Sequence, residues 1–271
     1  MSIELIYDEF LYHQHHALSS TQARQILESP ARYKWALTQP ARTSDAFDIG
    51  HAVHAKVLGV GMATTVLDFD NYLTKAAKEA RDQARADGTT PLLRKDALQV
   101  DAMSEAVLAH PEARRLFEQP GNPEASVFAT CDETAIEMRA RFDYLPGLDT
   151  ADPIAVDLKT TGTKATAREF GKSISTYGYH IQSGHYLDAL RLETARDDIG
   201  FRFVVVEKAA PHFVAVHQLD DLYSHIGIDS ARDARRTLRE CLDTDTWPTR
   251  LEDIQYIDAP NWLIEDVEVS I

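Results

Sequence analysis

Cysteine is almost missing from this chain: 271 residues hold only Cys131 and Cys241, with no Cys-x-x-Cys pair. A four-cysteine zinc or iron–sulfur site is therefore excluded within one chain, and free buried thiols are expected instead of a disulfide framework. Long apolar runs are missing too; none approaches the roughly 20 residues that span a bilayer. The opening residues carry Glu4, Asp8 and Glu9 without a lysine or arginine, unlike the basic start of a secretory signal. A soluble cytoplasmic protein with no membrane partner is expected. Basic residues are scarce: 28 Lys and Arg stand against 43 Asp and Glu, a net charge of −15. Phosphate binding usually leaves a basic footprint, so broad surface binding of nucleic acid is disfavoured. An enzyme that encloses DNA can still confine its positive charge to a channel while its outside stays acidic.

What is present is an ordinary globular composition, 44% hydrophobic, ample for a sizeable core. With no repeat, low-complexity tract or flexible linker, one elaborated domain is expected. Its N-terminal part, about residues 1–118, reads as helical. Ser19, Ser20 and Thr21 cap a helix over 19–37 that Pro30 interrupts. A second helix covers 44–58, with Phe47, Val53 and Val57 along it. A charged, alanine-rich helix covers 70–87, read as a solvated face, and Pro91 restarts a helical stretch to about Leu116. The texture then changes. Residues 124–132, 135–145 and 153–160 read as strands, 166–195 as helix, 200–207 and 212–218 as strands, and 219–243 as a long charged helix. An extended tail, with Trp247-Pro248 and Pro260-Asn261-Trp262, occupies 244–271. The pattern predicts an α/β core with a mixed sheet flanked by helices. The 166–195 crossover would let strand 200–207 join beside 153–160.

The chemistry gathers in the strands. In Val156-Asp157-Leu158-Lys159, residues i and i+2 share a face, so Asp157 and Lys159 point one way while Leu158 turns into the core. If strand 135–145 pairs with it, Asp143 can reach the same face. Two carboxylates and an ammonium around one point suit a divalent cation beside a scissile phosphate. On that reading Asp143 and Asp157 ligate Mg²⁺ with the Leu158 carbonyl. Lys159 orients or helps deprotonate water, or stabilises developing charge. Thr160 and Thr161 could bond phosphate oxygens, strand-end capping being the plainer role. The plainer account of Asp157 is a simple ion pair with Lys159; that of Asp143, after Glu137, Arg139 and Arg141, is a wet sheet face. Gln182 and Tyr186, one helical turn apart, could brace Lys159 or touch the DNA backbone, whereas His180 and His185 read as helix-surface residues. His13, His15 and His16 form a surface cluster. His51 and His54 could each face a metal, and residue physics does not choose between them.

Taken in order, these segments resemble the RecE-type exonucleases (exodeoxyribonuclease VIII) of the PD-(D/E)xK superfamily, relatives of RecB-type domains and of lambda exonuclease. The resemblance spans roughly residues 10–220. It runs through Ser19–Tyr33, Gly50-x-x-x-His54 with Leu58, Glu124-Ala125-Ser126-Val127-Phe128 as the strand entering the sheet, and Arg139-x-Arg141-Phe142-Asp143. It continues through Val156-Asp157-Leu158-Lys159-Thr160-Thr161, Tyr179-His180-x-Gln182-x-x-x-Tyr186 and Glu207–Pro211. Gly59 and Phe142 depart from its usual glutamate and proline. The resemblance implies a restriction-endonuclease-like core and selects His54 over His51 as a metal-site histidine. It makes Gln182 and Tyr186 part of the catalytic set, Arg139 and Arg141 candidate phosphate holders, and Arg32 a looser candidate for a 5′-phosphate. It further implies a Mg²⁺-dependent 5′→3′ exonuclease, with Mn²⁺ substituting, that acts on linear duplex DNA and leaves 3′ single-stranded tails. Bacterial or phage origin, a single-strand annealing partner and a homo-oligomeric ring of four or three subunits belong to the same implication. The competing readings are an endonuclease or single-strand nuclease of the superfamily, a non-catalytic DNA-binding subunit, and a metal hydrolase with another substrate. A basic lining around the site would sink the last.

Overall fold

The computed structural model describes residues 2–4, 8–39, 45–251 and 253–259. Its first elements are β1 (Ser2–Glu4), α1 (Glu9–Gln14), α2 (Ser20–Glu28), α3 (Pro30–Ala36), α4 (Asp45–Leu58), β2 (Thr64–Leu67), α5 (Lys75–Ala86), β3 (Thr90–Leu93), α6 (Arg94–Ala109) and α7 (Pro111–Glu118). Three long strands follow, β4 (Gly121–Thr130), β5 (Glu137–Pro146) and β6 (Ile154–Thr161). After α8 (Ala167–Tyr177) and α9 (Tyr179–Thr194) come β7 (Gly200–Glu207), β8 (Val214–His217) and α10 (Asp221–Thr244). Helix starts follow local chemistry. Ser19 and Gln22 cap α2 reciprocally, and Ser29 both ends α2 and caps α3, with Pro30 in the first turn, where its missing N–H costs nothing.

Six strands form one sheet in the order β1-β4-β5-β6-β7-β8. Only β6 and β7 run parallel within it, from Ile154 beside Gly200 to Thr161 beside Glu207, and α8 and α9 make the crossover that a parallel pair requires. One face packs against α8 and α9 through Ala140, Phe142, Phe170, Ile174, Tyr186 and Phe203. The other packs against α4, α6 and α7 through Val53, Met103, Leu116, Val156, Leu158 and Val204. α10 lies outside α9, where Gly184 and Gly227 bring the backbones together: a Cβ on Gly184 would stand 2.4 Å from the Gly227 carbonyl carbon. That contact holds α9, and with it Gln182, against the sheet.

The N-terminal part is not all helix. β1 pairs with β4, and β2 and β3 form a two-stranded parallel sheet. Pro91 lies in β3, and the helix begins at Arg94. A proline fits there because β3 has a partner on one side only, and four consecutive buried residues, Thr90–Leu93, give no helical period. The charged helix starts at Lys75, capped by Thr74. The 166–195 helix divides at Gly178, whose φ of 70° is the left-handed conformation glycine adopts without penalty. Pro260 and Trp262 lie outside the described residues.

Candidate metal centre

β4 and β5 build the first half of the site. Pro123 pairs with Tyr144 and Ala125 with Phe142, so Glu124 stands across from Asp143. Glu124 has φ 54°, a left-handed backbone that costs a non-glycine residue about 1–2 kcal/mol. On the helix above, Ala52 and Val53 are buried in the interface with the sheet, which sets the next residue, His54, over the strand. His54 Nδ1 lies 3.4 Å from Asp143 Oδ2. Ligand atoms of His54, Glu124 and Asp143 all fall within 4.8 Å of one another. One imidazole and two carboxylates are a donor set suited to a divalent cation that accepts oxygen and nitrogen ligands, so the residues fit a metal.

β6 builds the second half. Tyr144 opposite Val156 is the pair that joins β5 to β6. Beside it the Leu158 N–H donates to Asp143 Oδ2 at 2.6 Å. Asp157 is 2% exposed; its Oδ1 accepts from Gln182 Nε2 at 2.7 Å, and its Oδ2 pairs with Lys159 Nζ at 2.5 Å. Lys159 also sits 4.9 Å from the centre of the Tyr179 ring.

The charges set one another. Burial alone would depress the His54 imidazole, but the Asp143 carboxylate outweighs it and lifts His54 to about 8. Burial would likewise raise Asp143, yet His54, Lys159 and the Leu158 N–H hold it below the usual carboxylate range. Asp157 goes the other way: burial, with Asp143 adding to it, lifts it to about 6 against the pull of Lys159. Burial opposes the Lys159 ammonium, but Asp157 and Asp143 prevail and raise it, so it stays charged at neutral pH. Burial and Asp143 raise Glu124.

Several placements correct the sequence expectations. Asp157 stands beside the triad, both its oxygens engaged by Gln182 and Lys159; the plain ion pair with Lys159 is thus present. The Leu158 N–H reaches the site through Asp143. Gln182 braces Asp157 and not Lys159. Tyr186 is 8% exposed and packs against Phe142 at 5.1 Å, so it supports the strand behind Asp143 and is closed to a DNA backbone. Arg139 is 5% exposed, with its guanidinium bonded to the Tyr12 and His15 carbonyls; it ties the N-terminal segment to the sheet. Arg141 donates to Glu124 Oε2 at 2.5 Å. Arg32 is exposed on α3. His185 is fully buried, bonded to the Arg139 carbonyl, and so is not a surface residue, whereas His180 is half-buried.

Glu124 is the residue that reading the sequence missed. Its signal was the hairpin register: aligning the two strands about the turn places it opposite Asp143.

A cleft of about 510 Å³ opens beside the centre. Among the described residues its lining includes His51, His54, Lys159 and Lys208 and no carboxylate, and Thr160, Thr161, Thr163, Ser173, Tyr177 and Tyr179 add hydroxyls. Arg32, Arg139 and Arg141 do not line it.

A six-stranded mixed sheet flanked by helices, with Asp143, Asp157 and Lys159 gathered on adjacent strands, defines a PD-(D/E)xK nuclease-like protein. Residues 19–260 match the family described as the PDDEXK-like domain of unknown function (DUF3799), and the chain belongs to that family. Among solved structures it is similar to a candidate exonuclease from Eubacterium rectale. The TM-score is 0.61 at 12% identity, over 98% of this chain and 99% of that one, which establishes the shared fold. The structure of SSO0001 aligns at a TM-score of only 0.31 and 11% identity, over 84% of this chain and 86% of that one. No curated protein matches the sequence. Among the described residues no helix is long and apolar enough to cross a membrane.

Proposed function

We propose that this protein is a divalent-metal-dependent exodeoxyribonuclease that degrades linear duplex DNA in the 5′→3′ direction and leaves 3′ single-stranded tails. The observation that carries the substrate class is the cleft. In a chain of net charge −15, the described residues that line it include two lysines and two histidines and no carboxylate, while the carboxylates of Glu124, Asp143 and Asp157 gather behind it. A polyanion is drawn to such a lining and a cation to the acids beneath. The lining argues against a hydrolase acting on a neutral or cationic substrate.

His54, Glu124 and Asp143 would hold Mg²⁺, with Mn²⁺ substituting, and Asp157 lies next to them. A divalent cation there supplies Lewis acidity, making water more acidic and neutralising charge on phosphoryl oxygens. Lys159, held as an ammonium by Asp157 and Asp143, stabilises negative charge that develops on the phosphate. Gln182 fixes the Asp157 carboxylate and so fixes Lys159. Thr160, on the cleft wall, would donate to a phosphate oxygen.

The polarity, the single-strand annealing partner and a ring of four or three copies rest on the likeness of the motif series to RecE-type enzymes. The test is incubation of linear and covalently closed duplexes with Mg²⁺ or with EDTA. Mg²⁺-dependent loss of the linear form alone supports the exonuclease. Cutting of the closed circle would replace it with an endonuclease, and inertness towards both would leave a binding subunit.

A further inference from the structure

The Tyr177-Gly178-Tyr179 turn puts two aromatic rings side by side at the mouth of the cleft. Gly178 ends α8 in the left-handed conformation, and α9 begins at the next residue. The Tyr177 and Tyr179 ring centres stand 5.6 Å apart, with their planes inclined by 34°. Both residues line the cleft that holds His54, Lys159 and Thr160. They are not equivalent. Tyr179 packs inward on Phe170 and Phe203 and carries the Lys159 ammonium over its ring. Tyr177 is 59% exposed, and among the described residues its ring contact is with Tyr179. A large apolar ring left half in water beside a lysine-lined and threonine-lined cleft has the form of a stacking platform. Phosphate-binding groups lie on one side, and a flat surface lies one ring away.

We propose that Tyr177 is a substrate-binding residue that stacks on the nucleobase next to the phosphate held at Lys159 and Thr160. The proposal rests on the nuclease reading above and adds what the cleft recognises besides phosphate. Base–aromatic stacking tolerates every base, because each has a π-face. It therefore fits an enzyme that must act on any sequence. A base reaches Tyr177 only when it is outside a duplex stack, so the shelf takes a nucleotide at a strand end. Tyr179 supports the shelf from behind and keeps its distance from the ammonium fixed.

The test uses the full-length protein with Ca²⁺ in place of Mg²⁺ to arrest cleavage. The probe is a short single strand carrying 2-aminopurine, or an abasic residue, at its 5′-terminal position. Stacking predicts quenching of the fluorophore on binding. Tyr177→Ala should weaken binding of the base-containing strand about 5- to 150-fold, and Tyr177→Phe should stay within about twofold of the wild type. The abasic strand should bind the wild type as weakly as the base-containing strand binds Tyr177→Ala, and the substitution should then add no further loss. Equal losses on both strands, unchanged affinity in Tyr177→Ala, or absence of quenching would overturn the shelf. Tyr177 is exposed at a helix end, so the variants should fold, which circular dichroism checks. Cleavage by a wild type that is indifferent to Tyr177 would sink the shelf and leave the nuclease. Tyr177-dependent binding without cleavage under Mg²⁺ would do the reverse, and no binding of any strand would overturn the shelf alone.

Discussion

Replacing Glu124 by glutamine should separate the fold of this protein from its affinity for metal. Ligand atoms of Glu124 and Asp143 come within 4.8 Å, which at an effective dielectric of about 20 means roughly 3 kcal/mol of repulsion between two ionised carboxylates. Arg141, 2.5 Å from Glu124, offsets that repulsion. Glu124→Gln removes both the repulsion and the counter-charge to Arg141, so the metal-free unfolding midpoint should move by no more than about 2 °C. The response to metal is a different matter. A cation bound only by the folded state, at 10 to 100 times its Kd, stabilises the wild type by about 1.4–2.7 kcal/mol. For a chain of this size that is about 3–5 °C. Removing one of three protein ligands should abolish most of the rise. The assay is thermal unfolding by differential scanning fluorimetry across a Mg²⁺ titration, with Glu79→Gln on the exposed face of α5 as the control. A Glu124→Gln protein that kept the full Mg²⁺-dependent rise would refute the assignment of Glu124 to the metal centre. A wild type that showed no rise at saturating Mg²⁺ or Mn²⁺ would refute the centre itself.

Three further outcomes follow from the same geometry. Lys159→Met should lower kcat for Mg²⁺-dependent DNA cleavage by about 10²–10³-fold and destabilise the protein by about 3 kcal/mol, because it strands a buried carboxylate. Adding Asp157→Asn should recover much of that stability and none of the activity, which urea unfolding and steady-state kinetics would separate. Arg139→Ala should cost about 2–4 kcal/mol of stability through the orphaned Tyr12 and His15 carbonyls, while DNA affinity of the folded fraction stays unchanged. Lost affinity at unchanged stability would return Arg139 to a phosphate-binding role. His185, which burial pushes down to about 4, binds a proton more readily in the unfolded chain. Its stabilisation is complete above pH 6.5 and is lost as pH falls through 4, a total of about 3 kcal/mol. Denaturant midpoints measured from pH 7 to 4 should fall less steeply in His185→Gln than in the wild type.

The core sheet was legible in the sequence because its strands are long, apolar and bounded by turn residues. The parallel pairing of β6 with β7 followed from the intervening helix. β1 and the β2–β3 pair were not legible. They have three or four residues each, too few to show a period, and Thr90–Leu93 is buried on every side, which erases alternation. Within the site, strand alternation and hairpin pairing suffice to bring Asp143, Asp157 and Lys159 near one another, whereas the Gln182 contact with Asp157 joins a helix to a strand, and Gln182 entered the catalytic set only through the resemblance. Periodicity cannot tell a functional arginine from a structural one. Arg139 and Arg141 share a strand face, yet one is sealed against backbone carbonyls and the other is paired with Glu124. His185 misled for a related reason: a polar residue on a helix reads as exposed until the strand it packs against, here β5 with the Arg139 carbonyl, is known. Glu124 required knowing which residue of β4 stands opposite Asp143, a cross-strand fact that neither strand contains by itself.

The most direct test of the central claim is the order in which labels leave a linear duplex. Duplexes tagged separately at the 5′ and 3′ ends of one strand would be digested with Mg²⁺ by the wild type and by Lys159→Met. Early release of the 5′ label as mononucleotide, late retention of the 3′ label, and loss of both processes in Lys159→Met are the results predicted. Early release of the 3′ label, or undiminished digestion by Lys159→Met, would contradict the account.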